Sequence, residues 1–106
     1  MEQILANPKI AVIRPEGSLN AANALKFARE LTTAIVENDC SILLVDFERV
    51  EFIDSHGLIA LVSALKMAQS LGRRLSLCSV SPAIKIIFEL TQLDQVFEIS
   101  ECHDGA

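Results

Sequence analysis

Apolar residues recur along this chain in two rhythms. Short continuous runs suit strands, and recurrences at spacings of three and four suit helices with one buried face. Ile10-Ala11-Val12-Ile13 is the first clear run. Glu2 to Ala6 is a second candidate strand, and Asn7-Pro8-Lys9 between them is a turn signal, so an N-terminal hairpin is predicted. Pro15 ends the strand and Gly17 marks a loop. A helix is predicted from Ala21 to Asn38, with Asn20 as its N-cap and Leu25, Ala28, Leu31 and Ile35 along one stripe. Asn38-Asp39 closes it.

Ser41 to Phe47 is nearly continuous in large apolar residues, as in a central strand covered on both faces. Glu48 to Glu51 reads as a short charged loop, and Phe52 and Ile53 anchor a turn into a second helix, Ser55 to Leu71. Leu58, Leu61, Val62, Leu65 and Ala68 make its buried face. Gly72 suits the position after a helix end. Arg73-Arg74 stands at the negative end of that helix dipole, where each cation is favoured by roughly 0.3–1 kcal/mol. Leu75 to Val80 is another strand, and Ser81-Pro82 opens a third helix with Ile84, Ile87, Phe88 and Thr91 on one face. Val96 to Ile99 is a last strand, and the polar tail from Ser100 to Ala106 is expected to fray. The order β-β-α-β-α-β-α-β predicts a single α/β domain over residues 1–106, its core in 1–99, with a mixed, mostly parallel sheet.

Composition narrows the function. At 106 residues and 51% hydrophobic, the chain can bury one core. Five Phe and no Trp or Tyr make that core aliphatic and leave no aromatic platform for stacking bases. A net charge of −5 disfavours direct nucleic-acid or anionic-membrane binding. No apolar run approaches the ~18 residues of a membrane span, and no basic-then-apolar leader is visible, so a cytoplasmic protein is expected. Cys40, Cys78 and Cys102 are widely spaced, without metal-ligand spacing. They are expected to be reduced thiols, with Cys40 and Cys78 as small buried hydrophobes.

Enzymatic chemistry finds little support. The first βα turn, Pro15-Glu16-Gly17-Ser18-Leu19-Asn20, has one glycine where a dinucleotide turn needs several, and no P-loop pattern occurs. Ser55 stands where a nucleophile elbow would hold its serine, but Gly-x-Ser-x-Gly is absent and His56 points away from its neighbour. Asp46, Glu48, Glu51 and Asp54 are an acidic cluster that reads as a solvated loop or as a cation or aspartyl-phosphate site. The lysine and early acidic pair of a receiver are missing.

Attention then falls on Asp54-Ser55-His56-Gly57-Leu58-Ile59. The plain reading of Ser55 is an N-cap worth about 1 kcal/mol. Three features favour more. Gly57 lies in the first helical turn, where Ala is better by up to about 1 kcal/mol, so a close approach by another backbone is suggested. A phosphate on Ser55 would bring about −1.5 to −2 charges beside Asp54, at a helix N-terminus with free N–H groups. Leu58 and Ile59 cannot both point inward, which leaves one as a contact.

The run Val45-Asp46-Phe47, Val50-Glu51-Phe52-Ile53-Asp54-Ser55-His56-Gly57-Leu58 resembles the STAS signature of bacterial anti-sigma factor antagonists, an apolar strand followed by Asp-Ser-x-Gly-Leu. Gly17 to Asn20, Leu75 to Ile84 and Leu90 to Phe97 resemble other segments of that family. The resemblance implies a STAS-type domain with no cofactor and no catalysis of its own. It implies partner switching: the unphosphorylated form binds an anti-sigma factor that is also a serine kinase, phosphorylation at Ser55 releases it, and a PP2C-type phosphatase restores binding. Asp54, His56, Gly57, Leu58, Ile59, Ser18 and Asn20 are the implied partner-binding residues, on a monomer or weak homodimer. Asn20 stands where the family often has Asp, and the family's C-terminal helix has no room after Ile99. An adaptor subunit of a transport or stress-signalling complex, with Ser55 only a cap, is the alternative.

Overall fold

The computed structural model describes residues 10–37 and 41–100. Strands β1 (Ile10–Ile13), β3 (Ile42–Asp46), β5 (Arg74–Cys78) and β6 (Glu98–Ser100) form a four-stranded sheet in the order β1-β3-β5-β6. Strands β2 (Gly17–Leu19) and β4 (Val50–Ile53) form a separate two-stranded ribbon. Every pairing among the described strands is parallel. The helices are α1 (Ala24–Glu37), α2 (Ser55–Ser70) and α3 (Pro82–Leu90), with a 3-10 turn over Leu93–Gln95. This is the mostly parallel α/β domain expected from the alternation of periods. The predicted hairpin partner, Glu2 to Ala6, lies outside the described residues, as do the Asn38-Asp39 helix end and most of the tail.

Register explains the core. Ala11, Leu43 and Leu75 lie side by side across the sheet, as do Ile13, Val45, Leu77 and Ile99. Partners in register share a face, so these two rows line one side. Leu43, Val45, Leu75 and Leu77 are buried there, each worth about 1.5–3 kcal/mol relative to an exposed side chain. They join Phe27, Leu31 and Ile35 of α1, Leu61, Leu65 and Ala68 of α2, and Ile84 and Phe88 of α3 in one cluster. Phe88 packs edge-on against Phe47 and stacks on Phe97, so three of the few aromatic rings close the bottom of the core.

Gly17 and the Glu48–Glu51 stretch, expected as loops, each contribute to the ribbon. Val50 and Ile53 turn inward while Glu51 and Phe52 face out, a pattern that the charges around it hide. Leu25 is exposed; the inward stripe of α1 runs through Phe27, Leu31, Ala34 and Ile35. The regular helix begins at Ala24, after a turn opened by Asn20. Strand β5 stops at Cys78 because Ser79 adopts a left-handed conformation (φ 56°). Thr91 is exposed at the end of α3, where its hydroxyl donates to the Ile87 carbonyl at 2.8 Å. Gly72 (φ 71°) ends α2 as expected, but Arg73 donates to the Ile35 carbonyl in the last turn of α1, so it caps a different helix. Arg74 pairs with Glu98 at 2.6 Å across β5 and β6. Cys78 is wholly buried, and it is disulfide-bonded where a reduced thiol was expected. Burial and pairing are compatible wherever a second sulfur comes within bonding reach.

Candidate functional site

The ribbon builds the site. Ser18 pairs with Phe52 and Leu19 with Ile53, so both strands leave the ribbon at the same end. One continues into Asn20, the other into Asp54-Ser55. Ser18, Asn20 and the Asp54–Gly57 turn, distant in sequence, are thereby brought together. Leu19 and Ile53 are both buried and fix the two exits.

The start of α2 differs from the plain reading. Asp54, not Ser55, is the N-cap. Its Oδ1 accepts from the His56 amide at 2.8 Å and from the Gly57 amide at 3.2 Å, while the Asp54 carbonyl accepts from Leu58. Ser55 therefore sits at the first helical position, exposed, and among the described residues no hydrogen bond holds its hydroxyl. A cap does not account for it. The amides of His56 and Gly57, expected to be free for a phosphate, are taken by Asp54.

Asp54 is also the site's electrostatic centre. Desolvation acts to raise its carboxyl pKa, but the Gly57 and His56 amides and the charge of His56 outweigh it and hold the carboxyl below its ordinary value of 3.8. His56 Nδ1 lies 3.6 Å from Asp54 Oδ2, with its ring mostly exposed. His56 thus leans back along the turn towards Asp54.

Gly57 and Leu58 take structural roles. A Cβ on Gly57 would lie 2.7 Å from Ile53 Cγ1 and 2.8 Å from the Leu19 carbonyl oxygen. The backbone that approaches this glycine is the chain's own β2, not a partner's. Leu58 is buried in the core, which corrects its assignment as a contact residue. Of the adjacent pair, Ile59 is the exposed one, at 63%. Phe52, half exposed on β4, is a surface residue that sequence reading passed over. Strand alternation gives no signal for it, because Val50 is buried and Phe52, two residues on, is exposed.

The acidic cluster does not converge. Asp46 is buried at the end of β3; its Oδ2 meets Arg14 Nε at 3.2 Å and its Oδ1 accepts from the Glu48 amide at 2.9 Å. Both oxygens are engaged, Oδ1 in the turn that leads to β4 and Oδ2 with the Arg14 side chain that follows β1. Among the described residues, no three His, Cys, Asp or Glu side chains are grouped to hold a metal ion. No helix among them is long and apolar enough to cross a membrane.

Comparison with known proteins follows the same line. The chain is 25% identical over 91 residues to the putative anti-sigma factor antagonist BtrV of Bordetella bronchiseptica, covering 86% of this chain and 78% of that protein. The crystal structure of the putative anti-sigma factor antagonist TM1081 from Thermotoga maritima superposes with a TM-score of 0.81 at 25% identity, over 91% of this chain and 82% of that one. The Bacillus anti-sigma factor antagonist SpoIIAA, solved unphosphorylated and phosphorylated, shares the fold with TM-scores of 0.78 and 0.71 at 20% identity, over 96% of this chain and 87% and 90% of those chains. The STAS domain model matches residues 3–106. The chain belongs to the STAS domain family.

Proposed function

We propose that this domain is a partner-switching protein of the anti-sigma factor antagonist type, with Ser55 as its phosphoacceptor. The carrying observation is an exposed hydroxyl at the first position of α2, released from capping duty by Asp54. A phosphate there adds about −1.5 to −2 charges beside a carboxylate that already occupies the nearest amides. The charge is directed outward instead of being neutralised within the turn. The fold survives it, because the Ser55 side chain supports no packing.

The unphosphorylated surface offers Ser18, Asn20, Asp54, His56 and Ile59, with exposed apolar residues before and after the acceptor in the chain, Phe52 on β4 and Ile59 on α2. An anti-sigma factor that is also a serine kinase docks there in this reading, and apolar contacts flanking Ser55 make the added charge costly to bury. A PP2C-type phosphatase resets the surface. The domain is a substrate and a binder, and it performs no catalysis. The named relatives support this reading through the activity in their names.

The test is affinity for a purified anti-sigma factor kinase. Ser55→Ala is expected to bind like wild type, and Ser55→Asp to bind at least tenfold more weakly with an unchanged circular dichroism spectrum. Equal affinity of all three forms would instead favour a constitutive adaptor.

A further inference from the structure

We propose that Asn23 is the positioning residue of the Ser55 platform, a strut that holds the β2–α1 turn against which the start of α2 is built. The functional part of this proposal rests on Ser55 being the acceptor. Asn23 is half-buried in the turn ahead of α1. Its Nδ2 donates to the Ser18 carbonyl at 2.6 Å, and its Oδ1 accepts from the Asn20 amide at 2.9 Å. One short planar group thus clasps the main chain on either side of Leu19.

Leu19 is what α2 leans on. Its carbonyl accepts from the Asp54 amide at 3.0 Å. The same oxygen is the closest backbone atom to the bare face of Gly57. Asp54 then fixes the amides of His56 and Gly57, and Ser55 lies between. From Asn23 to Ser55, the links after the first are main-chain contacts and one short carboxylate. Little slack exists for a displacement to be absorbed on the way.

The turn also has open space behind it. Asn23 lines a cleft of about 330 Å³ with Arg14, Leu19, Lys26 and Phe27. On that side the clasp adds to the β2–β4 pairing in setting the position of the Ser18–Asn20 main chain. The residue type fits the task. Alanine offers neither bond. Aspartate keeps the acceptor for Asn20 but turns an oxygen towards the Ser18 carbonyl oxygen. A short side-chain amide puts a donor and an acceptor on two separate atoms of one planar group, which a hydroxyl does not.

The experiment uses the full chain, 15N-labelled, as wild type, Asn23→Ala and Asn23→Asp. Amide hydrogen exchange is measured at Asp54 and Gly57, with the buried Leu77 of β5 as reference. Phosphorylation by a purified anti-sigma factor serine kinase with ATP is followed on the same samples, with kcat and KM separated. Both variants are expected to speed exchange at Asp54 and Gly57 roughly tenfold, the effect of losing one or two ordinary hydrogen bonds. Leu77 is expected to keep its protection, and the kinase KM to rise while kcat falls less. Unchanged exchange at Asp54 in both variants, or a rise shared equally by Leu77, overturns the strut. If Asn23→Ala loosens the whole fold, Asn23→Asp, which keeps the Asn20 bond, decides by the same comparison. Wild-type protein that gains no phosphate on Ser55 would defeat the acceptor reading, while the exchange data still judge the strut.

Discussion

Replacing a helical glycine by alanine normally stabilises a protein, by up to about 1 kcal/mol. At Gly57 the opposite is predicted. The new Cβ would lie 2.7 Å from Ile53 Cγ1, 2.8 Å from the Leu19 carbonyl oxygen and 3.0 Å from Leu19 Cβ. Ile53 is 1% exposed and Leu19 3%, so neither side chain can swing into solvent. The carbonyl is main chain and cannot rotate away alone. Forcing a methyl group into such a site costs about 1–3 kcal/mol. Moving Leu19 also stretches its bond to the Asp54 amide, a further ~1 kcal/mol. The helix-propensity gain offsets part of this, leaving a net loss of about 2 kcal/mol. Urea unfolding followed by circular dichroism measures it: the midpoint should fall with an unchanged slope. A midpoint equal to or above that of wild type would mean that α2 and β2 are not locked together as described, and the coupling from the first βα turn to Ser55 would be lost with it.

Other outcomes follow from the same geometry. Asp54→Ala should cost about 1 kcal/mol through the lost cap, whereas Asp54→Asn, an equally good cap, should cost little, as urea midpoints at neutral pH would show. Because folding lowers the Asp54 pKa, its charge-linked stabilisation is complete above its unfolded value near 3.8 and is lost as pH falls through the lower folded value. That part of the acid sensitivity should be absent from Asp54→Asn. Ser79→Gly should raise the thermal midpoint, by up to about 1 kcal/mol in stability, because Ser79 holds φ 56° with a Cβ that glycine lacks; a lowered midpoint would count against strain there.

The long elements were legible from period alone. The buried rows of β3 and β5, the apolar face of α2 and the Ser81-Pro82 start of α3 all stand in the sequence as they stand in the fold. The ribbon was not, because its strands are three and four residues long and carry their pattern through a register shift at Gly17. Periodicity needs length to be seen. The role of Arg73 was invisible for a different reason: it caps a helix 38 residues away, and nothing local records that. At the site, the sequence places Ser55 at the start of a helix, but its plain reading as the cap is one residue late, since Asp54 is the cap. Asp and Ser are both good caps, and only the backbone geometry decides between adjacent candidates. Gly57 was recognised as a point of close approach, but whose backbone approaches could not be read from one chain position. Asn23 carried no signal at all, since its partners are main-chain atoms available at any residue.

The central claim is that Ser55 is the atom-level switch. Intact-mass and fragment-ion spectrometry after incubation with a purified anti-sigma factor serine kinase and ATP addresses it directly. One added phosphate is expected, localised to Ser55 and absent from Ser55→Ala. A phosphate mapped to another residue, or added equally to Ser55→Ala, would contradict it.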